Sequence, residues 1–274
     1  MDLQGRTVIV TGSGTGIGQA LALQFARQGA NVVCCARREA PIRETVSLIE
    51  QEGGTALAIS ADVTRGEQVR TLVEQTLSRF GKIDVLFNNA GSFQAIGGLW
   101  EVAPDLWWRD VTVNLLGPML CARAVLPHMM RRNEGIIVNM YGGGAGVPLA
   151  GGSGYGCSKA ALLRLTDTLA RELETVGSAV LVFAMGPGLV RTEMTEYQVE
   201  TPEGRKWLPG TKEAFDKRLD RPPEDCAQAT IKLIRIARPE LNGRIFGPDD
   251  DYEQIAAQAA EIRQQDRKAL RMKW

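Results

Sequence analysis

The stretch Thr7–Leu21, TVIVTGSGTGIGQAL, decides the fold. It opens on an apolar, β-branched run that favours a strand. It then sets Gly12, Gly16 and Gly18 in a G-x3-G-x-G turn and continues as the helical pattern IGQALALQFARQG. A glycine turn at that junction lets the backbone approach a pyrophosphate. The N–H groups and dipole of the helix N-terminus then attract the charge. The spacing differs from the commoner G-x-G-x-x-G, so the argument rests on the strand–turn–helix context. A nucleotide site over Gly12, Ser13, Thr15, Gly16, Ile17 and Gly18 is expected.

Working outward, the same alternation repeats. NVVCCA precedes PIRETVSLIEQEG, and ALAIS precedes GEQVRTLVEQTLSRFG. DVLFN leads to a helical region over about 104–132, GIIVNM to a helix over about 155–175, and AVLVFAM to an irregular segment. The strands are nearly continuous apolar runs, as in a parallel sheet covered on both faces. The expected fold is α/β, a doubly wound, mostly parallel, Rossmann-like sheet in a single domain over 1–274. The segment at about 186–222 is long for such a unit and predicts a lid or substrate-binding element. A helical tail is expected at about 252–271. Its Ile255, Ala259 and Ile262 share one face, to pack on the body or on a partner subunit.

Lys plus Arg total 32 and Asp plus Glu total 32, so the formal charge is zero. No basic field is available for nucleic acid or an anionic membrane surface. No apolar run reaches the ~18 residues that a bilayer-spanning helix needs. The start lacks the features of a signal peptide. Cys34, Cys35, Cys121, Cys157 and Cys226 show no metal or redox spacing, so a reducing cytoplasm is the expected compartment. A single histidine, His128, argues against a structural zinc site, and no metal is expected. The second strand ends VVCCARR. A cofactor without a 2′-phosphate wants an acid there to bind its ribose; this chain has Ala36, then Arg37 and Arg38. A guanidinium suits a 2′-phosphate, so Arg37, with Arg38 and Ser13 as further donors, points to NADP(H).

Several motifs in order now resemble the short-chain dehydrogenase/reductase family over nearly the whole length. They are TGSGTGIG (Thr11–Gly18), Asp62–Val63, NNAG (Asn88–Gly91), Asn114 in VNLLG, YGCSK (Tyr155–Lys159) and GPGLVRTEM (Gly186–Met194). The resemblance implies that Asp62 and Val63 flank the adenine, and that Asn89, Ala90 and Gly91 line the cofactor ribose. It also implies that Pro187, Gly188, Val190 and Thr192 bracket the nicotinamide. It implies a homo-oligomer, tetramer or dimer, and a small-molecule carbonyl or alcohol substrate.

Tyr155 and Lys159 are four apart, so on a helix they share a face. A tyrosine titrates near 10, too high for a base at neutral pH, and an adjacent ammonium should lower it. The pair could then exchange a proton with a carbonyl or alcohol oxygen while hydride moves to or from the cofactor. Lys159 would also hold the nicotinamide ribose and Asn114 a water, as in similar enzymes.

One position departs from the family pattern. Where a serine is usual, thirteen residues before Tyr155, stands Gly142, after Tyr141 and before Gly143 and Gly144. A working site then needs a substitute donor: Tyr141, Ser153, a glycine N–H, a water or the substrate itself. The other reading is a cofactor-binding or regulatory relative without turnover. Trp207 and Phe215 in the long segment are candidates for apolar substrate contacts.

Overall fold

The computed structural model describes residues 1–271. The first strand is β1 (Thr7–Thr11), followed by α1 (Gly16–Arg27), β2 (Asn31–Ala36), α2 (Glu39–Gln51), β3 (Thr55–Ser60) and α3 (Gly66–Phe80). β4 (Val85–Asn88) leads to α4 (Pro104–Val111), a π turn (Thr112–Leu116) and α5 (Gly117–Arg132), one continuous helical run. Then come β5 (Ile136–Met140), α6 (Ser153–Thr175) and β6 (Leu181–Met185). The segment after β6 holds α7 (Glu193–Glu200), α8 (Pro202–Trp207) and α9 (Pro209–Asp216). α10 (Pro223–Ile236), a 3-10 turn (Pro239–Leu241), β7 (Ile245–Phe246), α11 (Tyr252–Ala257) and α12 (Ala259–Gln264) complete it.

All seven strands are parallel, in the order β3-β2-β1-β4-β5-β6-β7. This is the doubly wound α/β fold that the strand patterns predict. The winding reverses between β1 and β4, and a crevice opens at the carboxyl ends of those strands. Alternate residues of β1 serve opposite faces. Val8 and Val10 join one core with Phe25, Phe183 and Phe246; Ile9 joins the other with Leu86, Ile137 and Met129.

The irregular segment expected after β6 is largely helical. Thr192 caps α7 in a reciprocal pair with Thr195, and the Thr201 side chain accepts the Gly204 N–H to start α8. The expected tail helix is two short helices. Ile255, Ala259 and Ile262 are buried in the first core, against the body of the same chain. Residues 272–274 lie outside the described residues.

Candidate active site

The crevice begins at the glycine turn. Gly12 and Gly16 have φ of +67° and +57°, a region glycine occupies without strain. A Cβ on Gly18 would stand 2.1 Å from the Gly12 carbonyl oxygen and 2.5 Å from Asn89 Nδ2. Asn89 Nδ2 donates to the Thr11 and Gly12 carbonyls at 2.9 and 3.0 Å, and Thr11 Oγ1 accepts the Asn89 and Ala90 N–H groups. The loop after β4 is thereby tied onto the turn after β1. α1 has no acid in its first turn, and its N-cap residue Thr15 makes no side-chain cap bond. The positive end of its dipole is left for an anion, and the cradle fits the pyrophosphate of a dinucleotide. Ser13 plays a different part: it is fully buried and its Oγ accepts the Cys35 N–H at 2.9 Å, fastening the turn to β2.

Farther out, Ala36, Arg37, Arg38, Asp62 and Val63 line the cleft. The Arg38 guanidinium grips both oxygens of Glu193 at 3.0 and 2.8 Å, bridging the start of α2 to α7 across the mouth. Arg37 makes no salt bridge among the described residues. Asp62 Oδ1 accepts the N–H and Oγ1 of Thr64 at 2.9 and 2.7 Å. Burial pushes the Asp62 carboxyl up, but the Thr64 bonds and the charges of Arg37 and Arg65 outweigh it, and the group is held below its usual value.

At the inner end, Tyr155 and Lys159 project from one face of α6 beside the end of β5. Lys159 Nζ lies 5.6 Å from the centre of the Tyr155 ring and donates to the Met140 carbonyl at 2.9 Å. Burial drops the ammonium to about 8. The expected lowering of the tyrosine is not found. Burial, with the charge of Asp110, pushes the Tyr155 phenol up to about 12, so it is a protonated donor. Asn114 sits inside the π turn, a distortion frequent at functional sites. Its amide accepts the Ser92 N–H, donates to the Ser92 carbonyl and donates to Ser158 Oγ.

Gly142 stands directly against the tyrosine: a Cβ there would lie 2.1 Å from the Tyr155 hydroxyl. The glycine makes room for that hydroxyl. Of the substitute donors considered from the sequence, Tyr141 borders the cleft and Ser153 does not. The Tyr141 ring packs on Gly186 and into a small core with Ala145, Leu163 and Ala184. Ser153 Oγ accepts the Trp107 indole N–H at 3.0 Å.

A family model for short chain dehydrogenases matches residues 6–203. The chain belongs to the short-chain dehydrogenase family. It is 33% identical over 98% of its length, and 89% of the relative's, to the short chain dehydrogenase mpl6 of Monascus purpureus. It is 35% identical to the 3beta-hydroxysteroid dehydrogenase 1 of Eggerthella lenta, covering 85% of this chain and 87% of that one. A short chain dehydrogenase of Pseudocercospora fijiensis is 39% identical over 70% of this chain, which spans only 62% of that relative. Among solved structures, a single-site variant of actinorhodin polyketide ketoreductase with NADPH superposes with a TM-score of 0.80 at 28% identity, covering 88% of this chain and 95% of that one. A metagenomic short-chain oxidoreductase in complex with NADP superposes at 0.71, also at 28% identity, over 87% and 94% of the two chains. Membership makes the protein an NAD(P)-dependent oxidoreductase.

In this short-chain dehydrogenase, Asn89, Ala90, Gly91, Pro187, Gly188, Val190 and Thr192 all border the cleft beside the glycine turn. Gly188 has φ of +75°, and a Cβ there would meet Arg221, itself paired with Asp249. Sequence reasoning missed four residues of the dehydrogenase's inner wall. Phe93 stacks on Tyr155 with ring centres 4.4 Å apart and planes 10° from parallel. Leu149, Met194 and Leu208 pack with them. Trp207, the expected contact, is turned to the rim, where its indole N–H donates to Glu101 at 3.0 Å and its ring meets Trp100 edge-on. Phe215 is buried away from the cleft under the Arg191 guanidinium. A further omission is Asp110, fully buried on α4. It accepts Ser92 Oγ at 2.5 Å, the Gln94 N–H at 2.9 Å and the Ala95 N–H at 2.9 Å. Asp110 and Asn114, one turn apart, thus clamp the loop that carries Phe93.

Proposed function

We propose that the chain is an NADP(H)-dependent reductase interconverting a ketone and a secondary alcohol, with Tyr155 as acid and base. The observation that carries the reading is Tyr155, protonated by burial, beside the buried Lys159 at the inner end of a dinucleotide cradle. The NADPH bound to the actinorhodin ketoreductase and the NADP bound to the metagenomic oxidoreductase support the choice of cofactor.

The glycine turn and the start of α1 bind the pyrophosphate, and Arg37 takes the 2′-phosphate. Asp62 and Val63 flank the adenine; Asn89, Ala90 and Gly91 line the cofactor ribose. Lys159 holds the nicotinamide ribose, and Pro187, Gly188, Val190 and Thr192 bracket the ring. The bound cofactor supplies the hydride. Negative charge then grows on the carbonyl oxygen, and the Tyr155 hydroxyl donates its proton there. In place of the family's serine, the backbone N–H groups of Gly142 and Gly143 serve as second donors. Both residues border the cleft, and neither N–H has a partner among the described residues. Lys159, with its proton loosened to about 8, resupplies the tyrosine.

The test is NADPH oxidation over a panel of ketones. Tyr155→Phe should lower turnover at least about 10²-fold while NADPH still binds. Near-normal turnover in that variant would defeat the mechanism. Arg37→Ala should weaken NADPH by roughly 1.5–3 kcal/mol and leave NADH unchanged; equal affinity of the wild type for both cofactors overturns the 2′-phosphate assignment. The proposal includes a homo-oligomer in the cytoplasm. Exposed Leu106, Trp108 and Leu116 along α4 and the π turn support an interface, and elution at monomer mass would remove that part.

A further inference from the structure

Apart from Lys159, the charged side chains that line the cleft are confined to one end. Arg37, Arg38, Asp62 and Glu193 gather at its outer, adenosine-binding end, and Lys159 is turned onto the Met140 carbonyl. Beyond Tyr155 the wall is Phe93, Leu149, Met194 and Leu208; Tyr141, Thr195, Gln198 and Thr211, which also border the cleft, bring polarity but no charge. Gln198 and Thr211 bond to each other at 3.2 Å. At the rim the Lys206 ammonium is matched by Glu101 at 3.4 Å. Behind Phe93, the fully buried Asp110 adds a carboxylate that has no ion pair among the described residues.

A carboxylate or phosphate on the substrate would lose its water on entering this end and meet no cation beyond Lys159, which is bonded to the Met140 carbonyl. An unpaired buried charge costs far more than the apolar contact returns. We infer that the substrate is an uncharged carbonyl compound with an apolar body, and that the cleft rejects keto acids and phosphorylated carbonyls. The inference rests on Tyr155 marking the reacting end of the cleft. It adds to that reading what the rest of the substrate must be.

Methyl 4-acetylbenzoate and 4-acetylbenzoate are nearly equal in shape and differ by one charge. With saturating NADPH, the ester should be reduced with a kcat/KM at least about 10²-fold higher. Equal or preferred use of the carboxylate overturns the inference. Met194→Lys, which sets an ammonium in the apolar wall, should narrow that gap at least tenfold; an unchanged gap shows that charge is not the cause. If the wild type reduces neither compound nor any other ketone, the reductase reading fails by itself. The inference then stands or falls on binding. In the NADPH complex, the corresponding ester alcohol should raise Tm and the carboxylate alcohol should not. No shift from the ester, or an equal shift from the carboxylate, overturns it.

Discussion

The two ends of the cleft are built on different principles. At the outer end the pyrophosphate cradle is made of backbone: a short glycine turn, a bare helix N-terminus and a neighbouring loop bonded to the turn. The inner end is made of side chains from five separate places: Phe93 after β4, Leu149 before α6, Tyr155 on α6, Met194 on α7 and Leu208 after α8. A pyrophosphate is the same in every dinucleotide and is recognised by N–H groups, so adjacent residues suffice. A substrate body is recognised by shape, and that requires packing between distant segments.

The comparison can be broken most severely at Gly18. A Cβ there meets the Gly12 carbonyl, a backbone atom that can move only if the turn and the β4 loop part. Gly18→Ala should abolish measurable NADPH binding in a calorimetric titration. Wild-type affinity would show that the outer end tolerates side chains after all. Gly142→Ser should come next. The added side chain displaces the Tyr155 hydroxyl, and turnover should fall roughly 10²–10³-fold with NADPH affinity nearly intact. Gly143→Ala meets nothing within 4 Å and should be silent. A gain of activity in Gly142→Ser would mean that Tyr155 swings aside and that the site merely lacked a hydroxyl.

A smaller effect tests whether the inner end depends on its clamp. Asp110→Asn keeps the shape but weakens the bonds that hold Phe93 on Tyr155. It should lower kcat roughly tenfold or more. Phe93→Leu should lower kcat as well, and the double variant should be no worse than Phe93→Leu alone. Additive losses would detach Asp110 from Phe93. The smallest expected effect is on pH. Lys159 is lowered from its ordinary value to about 8, so its charged form prevails below that pH and is lost above it. Reduction should slow roughly tenfold between about pH 7 and about pH 9. A rate that rises over that interval would remove Lys159 from the proton path.

The same contrast explains what the sequence made legible. The strand runs, the glycine turn and the Tyr155–Lys159 spacing are local patterns with local physical causes. They placed the sheet, the cleft and the Tyr155–Lys159 pair that borders it. Phe93 and Asp110 carry no such pattern, because their role arises only when α4, the β4 loop and α6 meet. Trp207 illustrates the limit at one residue's resolution: it is the more conspicuous side chain, yet Leu208 faces the cleft. Burial, with the charge of Asp110, reversed the expected direction for Tyr155, and the Lys159 ammonium points to the Met140 carbonyl. The tail's apolar face was readable, but not its break after Ala257 into two helices.

That tail has a consequence for how the protein is made. Tyr252, Ile255, Ala259 and Ile262 close the core that also contains Val8 of β1 and Phe183 of β6. A chain emerging from the ribosome, N-terminus first at roughly 5–20 residues per second, presents its strands well before these residues exist. Until they arrive, one face of the sheet lacks part of its cover, and a nascent chain stalled before Tyr252 carries that apolar surface exposed.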